Sequence, residues 1–341
     1  MSWKSNRITR FVFESLRLMY GCVAYLFSGR TPAAGYQGMI GLFCTTGGVS
    51  NDMLSGIVGA INGKCTLPPE KGILGSFSDA ELKQVKSRLD ADGYLVFEKV
   101  LPAEVHERLM GFALATPSRI RAGKNVGAAA SRMGIYNRHK PEGVRYDFLP
   151  EDVINNVDVQ RLMSDTSILA LAQAYLGSRP VADVTNMWWH TAFSHEPDSD
   201  AAQFFHFDMD RIRWLKFFFY LTDVGPQSGP HCFVRGSHRT GGIPRQLLKK
   251  GYARLTDEEV STFYEKDRII EFHAPAGTLI VEDTRGLHKG KVVERGDRLM
   301  LQLQFSNSLF GGSYPKARFG VMTPELKKIA ESEPGIYANY L

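Results

Sequence analysis

His206 and Asp208 are separated by a single residue in Phe205-His206-Phe207-Asp208. In an extended segment side chains alternate with a period of two, so both would point to one face. An imidazole and a carboxylate aimed into the interior of a β-fold supply two ligands of a facial metal site. A third must come from elsewhere, and the candidates are His231, His238, His273 and His288. His288 is favoured because it follows the apolar run Thr278 to Glu282 and precedes the alternating run from Arg298 to Phe305. In that run Leu299, Leu301, Leu303 and Phe305 share one face, while Arg298, Met300, Gln302 and Gln304 share the other. A polar face inside a barrel calls for a ligand. Arg298, permanently charged and able to grip a carboxylate with two parallel hydrogen bonds, suits an organic acid.

The elements that must position these residues fall into two halves. Ser78 and Glu81 form a capping box that predicts a helix start. Gly93 to Phe97 reads as a short strand, and Pro102 to Leu114 as a helix opening on proline. A further helix is expected over Ser167 to Leu176, stopped by Gly177. From Pro180 the texture turns to short β-rich runs: 181–189, 202–208, 214–222, 231–234, 268–273, 278–282 and 298–306. Turn clusters such as Gly225 to Gly229 and Ala274 to Gly277 separate them. Many short strands after a helical start predict a mainly β jelly roll, a double-stranded β-helix of the cupin type with flanking helices.

Three stretches, "LKFFFYLTDVGPQSGPHCFVRGSHR" (215–239), "PAGTLIVEDTRGLHKG" (275–290) and "DGYLVFEKVLPAEV" (92–105), accompany the His-x-Asp motif, the distal histidine and an arginine ten residues beyond it. Together they resemble the iron(II)/2-oxoglutarate-dependent oxygenases, and within them the phytanoyl-CoA dioxygenase family, over roughly Phe77 to Phe310. The resemblance implies His206, Asp208 and His288 as iron ligands and Arg298 as partner of the distal carboxylate of 2-oxoglutarate. His238, in the Gly-Ser-His turn, takes a structural role. Asn186 and Gln203 are weaker candidates for hydrogen bonds to co-substrate or substrate. Three protein ligands on an octahedral iron leave two positions for the 2-oxo acid and one for O2. The chemistry implied is hydroxylation of an unactivated C–H bond, with release of succinate and CO2. Halogenating relatives replace the carboxylate ligand with a small residue, so Asp208 points away from halogenation. Arg235, where the family usually has proline, is a departure expected to alter a loop beside the pocket.

Two other readings compete. A zinc hydrolase also uses two histidines and a carboxylate, but the chain lacks His-Glu-x-x-His and that reading leaves Arg298 unexplained. A catalytically silent β-barrel binding lipid or sugar has no need of the metal triad.

With 341 residues, 43% apolar and 23% charged, the chain has the balance of a globular protein rather than a disordered one. Its four cysteines lack any C-x-x-C pair, which favours a reducing, cytoplasmic setting over a disulfide framework or thiolate zinc. The net charge of +5 is uneven. Lys4, Arg7, Arg10, Arg17 and Arg30 face one anion, Glu14, at the N-terminus, and the rest is nearly neutral. No basic, aromatic-interleaved patch suggests nucleic acid. Residues 1–30 read as a basic amphipathic helix able to touch an anionic membrane through residues 7–27. Phe11, Tyr25 and Phe27 are expected at the acyl boundary. The four excess cations contribute about 4 kcal/mol, a binding of order 1 mM. The longest uncharged run, Leu18 to Gly29, predicts no transmembrane helix. A signal peptide is equally disfavoured, because Glu14 and Arg17 interrupt the apolar region. Residues 31–76 read as a Gly-rich linker or extension with one short helix around 51–61, and 77–341 as the oxygenase domain. If the helix meets a membrane, a lipid-linked substrate becomes more plausible than a soluble small molecule. Trp188, Trp189 and Phe217 to Phe219 are expected to be core.

Overall fold

A computed structural model describes residues 3–123 and 132–341, with side chains from residue 8 onward. Lys4 and Arg7 therefore lie outside the described side chains. Helices α1 (Trp3–Ser28), α2 (Ala33–Thr46) and α3 (Val49–Asn62) come first. The segment expected as a Gly-rich linker or extension carries α2 and α3, the latter over the short helix expected around 51–61. In α2 the glycines serve close packing: it buries Gly35, Gly38 and Gly41 together with Met39, Ile40, Leu42 and Phe43.

Ser78 caps α4 (Asp79–Asp92) with the predicted capping box, accepting from the Glu81 backbone N–H. Strand β1 (Tyr94–Phe97) and helix α5 (Ala103–Ala115) follow. Next come β2 (Ser118–Arg121), β3 (Arg132–Gly134), β4 (Arg145–Phe148), α6 (Pro150–Ile154), α7 (Val157–Met163) and α8 (Thr166–Leu176). The remaining strands are β5 (Val181–Thr191), β6 (Trp214–Tyr220), β7 (His231–Val234), β8 (Ile269–Phe272), β9 (Leu279–Glu282), β10 (His288–Gly290) and β11 (Asp297–Ser306).

The strands form an eight-stranded antiparallel sheet, ordered β1-β9-β6-β11-β5-β4-β2-β3, and a three-stranded sheet, β10-β7-β8. This is the predicted jelly roll with flanking helices. The alternation in β11 and β6 sorts their side chains between two cores. Leu299, Leu301, Leu303 and Phe305, with Leu215, Phe217 and Phe219, pack against Leu89, Leu109, Leu162 and Leu169 of the helices. Fully burying each such side chain contributes roughly 2 kcal/mol. Met300, Phe218 and Tyr220 turn the other way, towards Phe233 and Phe272 of the smaller sheet. The aromatic clusters split accordingly, Trp189 entering the helix-side core and Trp188 the space between the sheets.

One expected strand is replaced by isolated pairings. Across residues 202–208 only Phe205 with Leu255 and His206 with His288 form bridges. The strands β2, β3 and β4, which widen the large sheet, carry Arg119, Arg121, Arg132 and Arg145; β2 and β3 hold one large apolar residue each, and the alternation of β4 runs only from Arg145 to Phe148, too short for the periodicity to register.

Candidate metal centre

His206 and His288 face each other across an antiparallel bridge: the His206 N–H donates to the His288 carbonyl at 3.0 Å, and the His288 N–H returns a bond of 2.8 Å. The Asp208 N–H donates to the Thr284 carbonyl at 2.7 Å, which fixes the second residue of the His-x-Asp segment. Among the third-ligand candidates, the structure therefore brings His288 to the pair. One ligand atom from each of His206, Asp208 and His288 lies within 4.8 Å of the others, and all three residues are buried. Asp208 Oδ1 is 3.6 Å from His206 Nε2, and Asp208 Oδ2 is 3.4 Å from His288 Nε2.

Backbone carbonyls select the tautomers. His206 Nδ1 lies 2.9 Å from the Phe204 carbonyl and His288 Nδ1 lies 3.0 Å from that of Gly286. A carbonyl oxygen only accepts, so each Nδ1 carries the proton and each Nε2 presents a lone pair inward, the form a metal requires. Burial, reinforced by the neighbouring His288, holds His206 well below the usual histidine range. Burial pulls His288 the same way, but the Asp208 carboxylate overrides it and raises that imidazole.

Lys216 is a feature that the motif reading missed. Its ammonium donates to Asp208 Oδ2 at 2.6 Å and lies 3.1 Å from Asp210 Oδ2. Burial opposes ionisation of Asp208, yet Lys216 and His288 hold it well below the ordinary carboxylate range. Asp210 moves the opposite way, raised by burial and by the charge of Asp208 against the pull of Lys216. Lys216 shares a strand face with Phe218 and Tyr220, so a lone cation at an inward position of an apolar strand was the available signal.

Arg298 is 1% exposed and donates from Nη2 to His190 Nδ1 at 2.7 Å. His190 Nε2 meets the Ala201 carbonyl at 3.1 Å, so its proton sits there and Nδ1 is free to accept. Burial, with Arg298 and Arg145 adding to it, keeps His190 neutral well below its ordinary range. The Nε and Nη1 donors of Arg298 are buried with no hydrogen-bond partner among the described residues. A buried cation with orphaned donors is costly unless an anion completes it.

The triad, Lys216, His190, Arg298, Asn186 and Gln302 all line one cavity of about 230 Å³. Trp188 and Phe218, expected in the core, form part of its wall. A wider groove of about 420 Å³ shares Arg145 and Asn186 with it.

The other sequence candidates are placed elsewhere. Gln203 does not line the cavity; its Oε1 accepts from the Asp198 N–H at 2.8 Å and so closes a turn. His231 lines the cavity but pairs with Glu282 at 2.9 Å, whose carboxyl burial pushes up to about 8. His273 is a surface residue 3.3 Å from Glu271. His238 is buried beside Phe233 in the Gly-Ser-His turn. Ser237 of that turn accepts from the Leu287 N–H at 2.8 Å, steadying the residue before His288. Arg235 pairs at the surface with Asp267 at 3.1 Å and does not line the cavity, so the departure from proline leaves the pocket wall unaltered.

Residues 89–293 match the family model described as phytanoyl-CoA dioxygenase (PhyH). The chain belongs to that family. Solved structures to which the chain is similar include the epimerase SnoN, in complex with Fe3+, alpha ketoglutarate and nogalamycin RO. It is 19% identical with a TM-score of 0.46, over 67% of this chain and 84% of SnoN. HygX from Streptomyces hygroscopicus, with nickel and 2-oxoglutarate bound, is 15% identical with a TM-score of 0.47, over 74% of this chain and 94% of HygX. EctD from S. alaskensis, with bound Fe, is 19% identical with a TM-score of 0.46, over 74% and 88% of the two chains. No curated protein matches the chain.

Proposed function

We propose that this chain is an iron(II)/2-oxoglutarate-dependent dioxygenase that hydroxylates an unactivated C–H bond of a small or amphiphilic organic substrate. The observation that carries the reading is the meeting, in one cavity, of a His-Asp-His ligand set with a buried arginine whose remaining donors lack an acceptor. His206, Asp208 and His288 would hold the iron, and Arg298 would take the distal carboxylate of 2-oxoglutarate. When bound, iron with 2-oxoglutarate and O2 supplies an oxidant strong enough for a C–H bond, with succinate and CO2 released.

The chain's own residues do the positioning. His190 accepts from Arg298 and aims it; the Phe204 and Gly286 carbonyls aim the two imidazoles; Lys216 orients Asp208. Asn186 faces both the cavity and the wider groove, which suits contact with an incoming substrate better than with a deeply held acid. A zinc hydrolase, by contrast, gives the orphaned donors of Arg298 nothing to bind. A silent lipid- or sugar-binding barrel gives the inward Nε2 lone pairs no purpose. The four free cysteines suit a reducing cytoplasm.

The test is anaerobic visible absorption of the protein with iron(II), before and after 2-oxoglutarate. A charge-transfer band that is lost in His288→Ala supports the reading. Iron bound without any band on adding the 2-oxo acid overturns it.

A further inference from the structure

The outward face of α1 is apolar along its whole described length. Ile8, Val12, Leu16, Met19, Val23 and Phe27 recur at three- and four-residue steps and are between 51% and 89% exposed. At 100° per residue they span a broad arc. Phe13 and Tyr20, 56% and 59% exposed, widen it on one side, where Arg17 and then Arg10 follow, and Arg30 follows the helix end.

The inward face is bound to the protein. Added to Gly21, a Cβ would sit 2.4 Å from the Gly35 Cα; added to Gly41, one would sit 2.5 Å from the Glu14 carboxyl carbon. The two helices touch backbone to backbone, a closeness only glycine permits. Leu18 is buried there, and Tyr25 packs edge-on against Phe310 at 5.6 Å. Tyr25 is therefore an internal anchor and not the boundary residue expected from the sequence. In turn α2 is fixed to the barrel through Phe43 and Phe207, whose rings are 5.2 Å apart.

By length and composition alone, Ile8–Ser28 could cross a bilayer, contrary to the expectation from its short uncharged run. Its packing argues against crossing. A helix that spans must leave the body, whereas α1 lies along α2 with Glu14 pressed into the joint. A lipid surface needs only the outer arc.

We propose that α1 is a membrane-seating element: its outer apolar arc enters the interface of an anionic phospholipid bilayer while its other face stays on the catalytic body. Charge selects this occupant. Glu14 is the only acid in α1, and it is buried, so the helix offers no exposed carboxylate to the cations of a second copy. An anionic headgroup layer answers Arg30 at the helix end and the exposed Arg10 beyond the arc's edge. The seat also bears on the metal centre. Phe205 and Phe207, on either side of His206, share one apolar cluster with Leu18 of α1 and Met39 and Phe43 of α2. The ligand-bearing segment thus lies one helix layer behind the lipid-facing surface, a placement that suits a substrate drawn from the membrane.

Flotation of the full-length, metal-free protein with phosphatidylcholine vesicles, with and without phosphatidylglycerol, tests this independently of any activity. Binding is expected only with the anionic lipid. Arg10→Gln with Arg30→Gln should weaken it by roughly 25-fold, since each cation near such a surface is worth about fivefold. Leu16→Glu with Val23→Glu should abolish it without changing the circular dichroism, because both positions are exposed. Three results overturn the proposal: no flotation with either vesicle, a dimer in solution that Leu16→Glu dissolves, or membrane fractions that resist alkaline carbonate as a spanning helix does.

Discussion

Replacing Arg298 by lysine keeps the charge and removes the planar fork. In the folded protein the guanidinium spends Nη2 on His190, at 2.7 Å, and leaves Nε and Nη1 without partners. A carboxylate there would gain charge-assisted hydrogen bonds worth about 1.5–3 kcal/mol each. Lysine has one compact ammonium and loses at least one of them, so the dissociation constant for 2-oxoglutarate should rise by about 10- to 150-fold. Titration of 2-oxoglutarate into the iron(II) protein without oxygen, followed by the charge-transfer band, reads that constant without knowledge of the substrate. Iron affinity should be unchanged, because Arg298 is not a ligand. Gly290→Ala supplies an independent variant: the new Cβ would sit 2.6 Å from Arg298 Nη2, pushing the guanidinium off its position while leaving its charge. It should also weaken the 2-oxo acid and spare iron. An affinity for 2-oxoglutarate within about threefold of the parent in both variants would refute the assignment of Arg298, since one lost hydrogen bond predicts more.

Lys216→Met should destabilise the metal-free protein by about 3–5 kcal/mol, because it leaves two buried carboxylates without their cation, and should enlarge the thermal stabilisation that iron(II) gives. Urea unfolding and melting curves with and without metal measure both, and an unchanged metal increment would contradict the role given to Lys216. Asp283→Asn should cost up to about 3–5 kcal/mol at pH 7 by removing the buried carboxylate 2.7 Å from Arg285, which is 3% exposed and keeps only the exposed Asp52 at 2.9 Å. Burial opposes ionisation of Asp283, but Arg285 overrides it and depresses that carboxyl below its unfolded value. Its contribution is therefore complete above about pH 4 and is lost as pH falls through the unfolded value towards the folded one. The parent should lose stability on acidification through that window more steeply than Asp283→Asn, and parallel urea midpoints for the two would refute the linkage.

What could be read in the sequence was whatever period and motif encode locally. The two-residue spacing of His206 and Asp208 placed both on one side of their segment, and the alternation of β11 separated its leucines from Arg298, Met300 and Gln302. The capping box at Ser78 needed nothing but Glu81 three residues on. The glycines of the α1–α2 joint were not legible because their meaning is decided by a partner. Gly21 and Gly35 stand where two helices touch, and composition records glycine without recording what presses against it. Tyr25 misled in the same way, since its anchor, Phe310, lies 285 positions away in the chain.

Residues joined by ion pairs across the fold leave even less trace. Asp52 of α3, Arg285 after β9, Asp283 and Tyr175 of α8 form one chain of contacts from the surface to the interior, with Arg285 2.9 Å from the exposed Asp52 and the Tyr175 hydroxyl on the buried Asp283. No local pattern links these four positions. Lys216 differs, because its strand supplied a rule that it broke. Leu215, Phe217 and Phe219 face the helices, so Lys216 had to face inward with Phe218 and Tyr220. A buried ammonium requires an anion nearby. Asp208 and Asp210, the one already suspected as a ligand, sit two residues apart on the adjoining segment and meet that requirement. The same reasoning that makes an unpartnered inward arginine a signal for a bound acid makes an inward lysine a signal for a carboxylate pair. Applied to strand faces, that rule would have found Lys216 from the sequence alone.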